Sequence, residues 1–152
     1  MVDGGTSSNN VLAKLVRYYT LDDFPPENEV DCALARPIKK EDIAPEILEI
    51  GLVSGMTEPV VGMTVKKSGR TTGLTEGQIR AINVTTQVNY GQGRILRFKN
   101  QIFITKMSEG GDCGSLVVNE KNQAVGLLFA GSNQGTLLNP IAKVLQVLNV
   151  QF

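Results

Sequence analysis

Not one of the 152 residues is a histidine, and that gap constrains the chemistry more than most residues present. It removes the commonest general base and the commonest metal ligand. Cysteine is nearly as scarce. Cys32 and Cys113 permit one disulfide at most, build no disulfide framework, and lie too far apart in sequence for a metal-ligand spacing. No metal or cofactor is therefore expected. Charge of one sign is also lacking, because 15 basic residues balance 15 acidic ones. A chain of balanced charge suggests no electrostatic footprint for nucleic acid or an anionic membrane, so neither is expected as a partner. No apolar run approaches the ~20 residues that a membrane-spanning helix needs. The start, Met1-Val2-Asp3-Gly4-Gly5, lacks the basic and apolar regions of a secretory leader, which leans toward the cytoplasm but leaves the compartment open.

What remains is ordinary for one globular domain: 41% hydrophobic and 20% charged residues, with no internal repeat or low-complexity tract. Residues 3–10 are polar and turn-rich and read as a loose lead-in. Residues 11–19 alternate as a strand, 22–29 with Pro25-Pro26 form a turn, and 30–35 form a second short strand closed by Pro37. Ile43, Ile47 and Ile50 recur at helical spacing, which predicts a short helical turn over 41–50. Residues 51–62, with Gly55 and Pro59, read as a crossover between two subregions.

From Met63 the texture becomes short β runs punctuated by glycine. Six strands are expected, at 63–67, 77–88, 94–98, 101–107, 115–119 and 124–130, with turns at 68–76, 89–93, 99–100, 120–123 and 131–135. Six short antiparallel strands favour a closed barrel, since closure removes exposed edges. Ile141, Val144, Leu145 and Leu148 then mark an amphipathic C-terminal helix, with Asn139 as its expected cap. Lys66, Lys67 and Arg70 read as a solvated face.

The stretch Gly110-Gly111-Asp112-Cys113-Gly114-Ser115 is the chemically suggestive one. Glycines at that density bend the backbone where other residues cannot follow. Such a loop can aim successive N–H groups at one spot beside a thiol. It can equally be a tight turn whose small cysteine fills the core. Cys32, by alternation with Asp31, is expected on a core-facing side.

Three pieces, in order, resemble the trypsin/chymotrypsin-like (PA clan) peptidases, and specifically the C-terminal part of bacterial trypsin-like proteins. They are Val30-Asp31-Cys32-Ala33-Leu34, Ser68-Gly69-Arg70-Thr71-Thr72-Gly73, and Gly111-Asp112-Cys113-Gly114-Ser115 followed by Gly126-Leu127-Leu128-Phe129-Ala130-Gly131. The resemblance implies an all-β fold: a six-stranded second barrel at 63–152, a crossover at 51–62, and at 1–50 two strands left from a truncated first barrel. It implies Cys113 at the nucleophile position, as in cysteine peptidases of RNA viruses, with Asp31 as the triad acid. It further implies that the N–H groups of Gly111 and Cys113 form an oxyanion hole. Met107 would be the floor of an apolar side-chain pocket, and Phe129, Ala130 and Gly131 the strand that pairs with a polypeptide substrate. Asp112 would hold the glycine loop.

The family's histidine base has no counterpart here. The expectation is thus a C-terminal fragment of an endopeptidase, inactive by itself. The competing expectation is a non-catalytic module that keeps the groove for binding or assembly. Strands that have lost their partners leave open edges, so self-association through residues 11–38 is also expected.

Overall fold

The computed structural model describes residues 11–24 and 26–152. The expected lead-in at 3–10, the start at 1–5 and Pro25 of the expected 22–29 turn lie outside the described residues. Ten strands and one helix follow in order: β1 Ala13–Tyr18, β2 Ala33–Pro37, β3 Glu46–Ile47, β4 Gly51–Leu52, β5 Thr64–Gly69, β6 Gly73–Asn89, β7 Ile95–Ile104, β8 Leu116–Asn119, β9 Ala124–Ser132, β10 Gly135–Pro140 and α1 Ile141–Leu148. Strands β5 to β10 close into an antiparallel barrel in the order β10-β7-β6-β5-β8-β9.

The six-stranded barrel is as expected, but two of its strands are not the expected ones. Residues 94–98 and 101–107 do not form separate strands. The chain runs on through Asn100, which adopts φ +61 while β7 stays paired with β6. The sixth strand is instead β10, which pairs with both β7 and β9. Asparagine tolerates the left-handed conformation, so an irregularity that reads as a turn is absorbed within a strand. The expected 68–76 turn shrinks to Arg70-Thr71-Thr72, since β5 and β6 pair down to Gly69 and Gly73.

Barrel closure buries one core of Val65, Ile79, Ile102, Ile104, Met107, Val117, Val125, Leu128 and Leu138. Side chains of this size each contribute roughly 1.5–3 kcal/mol on leaving water. A second core lies between barrel and helix, where Val30, Cys32 and Ala124 meet Ile141, Val144 and Leu148. Cys32 is buried there as a free thiol, as its alternation suggested.

Asn139 does not cap α1. Pro140 occupies that position without a side-chain cap. The fully buried Asn139 instead accepts the Asp31 amide at 3.0 Å and donates to Gln101 Oε1 at 2.7 Å. The helical turn expected over 41–50 is also absent. A single 3-10 turn at Lys40–Asp42 precedes the β3–β4 hairpin. Glu49 (φ +64) and Gly51 (φ +99) bend the chain out of the helical region, and Ile43 and Leu48 point to solvent, so no core face stabilises a helix. The crossover that follows is bound to the barrel through Ser54 N to Asn122 O, Thr57 N to Ala124 O and Ala124 N to Gly55 O.

Strands β1 and β2 form a two-stranded sheet of their own. Its inner end is fastened where Tyr19 N donates to Cys32 O at 3.1 Å and where Arg17 reaches the carbonyl of Leu148. Its outer part leaves Val11, Leu12, Leu15, Val16 and Tyr18 exposed.

Candidate active site

The loop between β7 and β8 is held from beneath by a buried carboxylate. Asp112 Oδ1 accepts the amides of Thr71 (2.8 Å) and Thr72 (3.1 Å). Its Oδ2 accepts the Thr72 hydroxyl (2.7 Å) and the Glu109 amide (3.0 Å). The ammonium of Lys67 stands 3.5 Å away, and both side chains are wholly buried. Lys67 is therefore no part of a solvated face. Strand alternation turns it to the same side as Val65, and its head donates to Thr72 Oγ1 and to Gly73 O. Burial pushes the Asp112 carboxyl up, but the hydrogen bonds from Glu109, Thr72 and Thr71 outweigh it and hold the group well below the usual carboxylate range. The β5–β6 turn and the glycine loop are thereby locked together, with Gly69 so close that an added Cβ would lie 2.5 Å from Asp112 Oδ1.

Above this anchor, Gly111 adopts φ +103, and a Cβ there would collide with the Thr71 hydroxyl. The amides of Asp112 and Gly114 are spent on Glu109 O (3.1 Å) and Leu128 O (2.7 Å). Those of Gly111 and Cys113 donate to no carbonyl among the described residues. Cys113 is exposed, and its thiol lies 3.4 Å from the Phe129 carbonyl. Burial pushes this thiol up from its ordinary value, and the carboxylates of Asp31 and Asp112 act in the same direction.

Strand β9 pairs with β8 up to Leu127, and with β10 out to Ser132. Ala130 and Gly131 thus pair on one side only, leaving a strand edge that starts beside the thiol. Phe129 itself is buried and packs on Phe98 at 4.9 Å between ring centroids.

Asp31 lies two residues before β2, with its amide fixed by Asn139. Its Oδ2 accepts a 2.6 Å hydrogen bond from the hydroxyl of Tyr90, a residue with no evident signal in the sequence. Burial first, and then the hydrogen bond to Asp31, hold the Tyr90 phenol far above its usual range. Tyr90 stacks near Phe98 at 6.3 Å.

Met107 does not line the cavity beside Cys113. It is buried in the barrel core, where Gly77 leaves room for its sulfur. The cavity, about 520 Å³, is bordered instead by Ser108, Gly131, Ser132 and Lys106. Met107, the expected floor, is thus turned inward to the core while Ser108 faces the cavity, and Leu128 keeps part of the wall apolar. Among the described residues no group of acidic, cysteine or histidine side chains is placed to hold a metal.

No family model matches the chain. In sequence it is 45% identical over 62 residues to glutamyl endopeptidase 2 of Streptomyces griseus, covering 41% of this chain and 30% of that protein. In structure it is similar to a glutamic-acid-specific serine protease described as using a histidine triad in substrate binding. That match has a TM-score of 0.69 and 26% identity over 95% of this chain and 76% of the other. It is also similar to Thermobifida fusca protease A, with a TM-score of 0.67 and 26% identity over 84% and 69% of the two chains. The chain spans 27% to 37% of the length of the curated relatives it matches.

Proposed function

Because this chain belongs with the trypsin/chymotrypsin-like (PA clan) peptidases by fold and by sequence, we propose that it supplies the nucleophile half of an endopeptidase site. Cys113 is the nucleophile, the amides of Gly111 and Cys113 are the oxyanion donors, and Asp31 is the acid that would orient a base. The observation that carries this reading is the exposed thiol at the head of the open β9 edge, 3.4 Å from Phe129 O. An extended peptide adding to Phe129-Ala130-Gly131 would deliver a carbonyl to that sulfur.

The imidazole that such chemistry uses is absent from the chain, which has no histidine. In this reading the base comes from a segment outside it, and residues 1–50, 51–62 and 63–152 are the tail of a first barrel, a crossover and a complete second barrel. The same reading leaves the β1–β2 sheet without its barrel, so its exposed apolar strands are the place where two copies would associate.

A second reading is favoured by one specific observation. The thiol is pushed up rather than down, and the Asp31 carboxylate is already engaged by Tyr90. Both suit a peptide-binding module better than an active enzyme.

Free imidazole separates the two. With a peptidyl thioester as substrate, the endopeptidase reading expects imidazole to raise hydrolysis in the native chain above the background seen in Cys113→Ala. If the two proteins respond equally while peptide binding is retained, the site binds peptides and does not cleave them.

A further inference from the structure

A second cavity, of about 680 Å³, opens where the crossover, the middle of β6 and β7, and the start of α1 come together. Its size suits a small organic ligand. It shares no lining residue with the cavity beside Cys113. Pro59, Ile82, Ile102 and Pro140 give it apolar walls.

Two opposed bulges shape its mouth. Between the Ala81–Phe103 and Val84–Gln101 pairs, β6 carries one residue more than β7. Between Val84–Gln101 and Thr86–Phe98, β7 carries one more than β6. Each extra stretch holds an asparagine in the left-handed region, Asn83 at φ +55 and Asn100 at φ +61, and both line the cavity. A bulge re-aims side chains that a regular ladder would keep in register.

The charges around the cavity do not cancel locally. Glu29 is paired with the Lys143 ammonium, has Lys99 Nζ at 3.6 Å, and accepts the Asn100 amide at 3.5 Å. The hydrogen bond from Lys143, which outweighs burial, and then Lys99 hold its carboxyl below the ordinary range, so it stays ionised. Two ammonium groups therefore share one carboxylate, and one positive charge is left over on that wall. On the crossover wall Glu58 is exposed and forms no ion pair or hydrogen bond among the described residues. One negative charge is left over there. The side-chain amides of Asn83 and Gln146 between them are likewise uncommitted among the described residues.

We propose that this cavity binds a short apolar peptide with both termini free. Glu58 takes the terminal ammonium, and Lys143, backed by Lys99, takes the terminal carboxylate. The amides of Asn83 and Gln146 meet the peptide unit, since each offers both a donor and an acceptor. Apolar side chains lie on Pro59, Ile82, Ile102 and Pro140. A ligand carrying only one charge would match one wall and leave the other unanswered. The site is separate from the groove at Cys113 and does not depend on what that thiol does.

The test follows the side-chain amide signals of Asn83 and Gln146 in the full chain labelled with nitrogen-15, titrated with leucyl-leucine. Both signals should shift and saturate. N-acetyl-leucyl-leucine lacks the ammonium and leucyl-leucine amide lacks the carboxylate, so each should bind about tenfold more weakly. Glu58→Gln should weaken leucyl-leucine by the same factor and leave the acetylated peptide unchanged. Lys143→Gln should do so for the carboxylate and leave the amide unchanged, and Lys143→Arg should restore binding. Thermal unfolding of each variant checks the fold. Equal binding of free and blocked peptides overturns the proposal, as does tighter binding of N-acetyl-arginine amide, which would make this a site for a lone cation. Shifts confined to Gly131 and Ser132 also overturn it, and place the peptide in the groove proposed above instead.

Discussion

The hydroxyl of Tyr90 sits 2.6 Å from Asp31 Oδ2, joining the tip of the β6–β7 hairpin to the segment that leads into β2. The residues are 59 apart in sequence, and the contact occupies the carboxylate that the proposed chemistry would use. A base brought to Asp31 would compete with the phenol at Oδ2 or share the carboxylate through Oδ1.

That competition has a spectroscopic signature. Burial and the Asp31 hydrogen bond both keep the Tyr90 phenol protonated. Its folded-state pKa is raised, so the stabilisation is complete below the unfolded value near ~10 and is lost as pH rises beyond it. In an alkaline titration of phenolate absorbance, one tyrosine should ionise late. In Asp31→Asn that late phase should move to lower pH, and in Tyr90→Phe it should vanish. Native-like titration in both variants would remove the contact from solution.

The Lys67–Asp112 pair should matter far more to folding. Removing one partner of a buried ion pair costs roughly 3–5 kcal/mol, and Asp112→Ala also orphans the amides of Thr71, Thr72 and Glu109. Urea midpoints should therefore fall steeply for this variant. The depressed Asp112 pKa implies stability that is fully present above the ordinary carboxylate range and is lost as pH falls below about 4. An Asp112→Asn variant with the acid profile of the native chain would show that this carboxylate is not the group being titrated.

Cys113 should react slowly at neutral pH. With the thiol raised by burial and two nearby carboxylates, its iodoacetamide rate should climb through a midpoint above the ~8.5 of an ordinary cysteine. Asp31→Asn should shift that midpoint downward. A midpoint below 8 would mean that some cation reaches the thiol.

The β1–β2 sheet offers a test of self-association. Leu15 and Tyr18 are each 63% exposed, and a two-stranded sheet alone is marginal in water. Sedimentation at rising concentration should show dimers that Leu15→Lys abolishes. A monomer throughout the accessible range counts against association by this route.

Asn139→Ala should be costlier than loss of a helix cap, by about 1–3 kcal/mol, because it strands the Asp31 amide and Gln101 Oε1 together. The melting temperature reports it.

Much of this was legible in order along the chain. Glycine punctuation with β-branched runs marked a barrel, and the spacing of Ile141, Val144, Leu145 and Leu148 marked the helix. The Gly110–Ser115 loop and Asp31 stood out locally, because dense glycine and an acid in an apolar run are visible without a partner. What lay hidden depended on distant residues. The chain alone does not tell whether Lys67 faces water or Asp112, since β-strand alternation leaves the two faces equivalent until closure makes one of them the inside. The same ambiguity exchanged Met107 for Ser108 at the cavity wall, a one-residue choice that puts a hydroxyl where a thioether was expected. Asn139 has the local character of a cap, yet its side chain is used by Asp31 and Gln101 because the barrel brings three separate segments to one point. Local composition thus determined most of the elements and the glycine loop. Barrel closure alone decided which side chains are buried together, and with them the partners of Cys113 and Asp31.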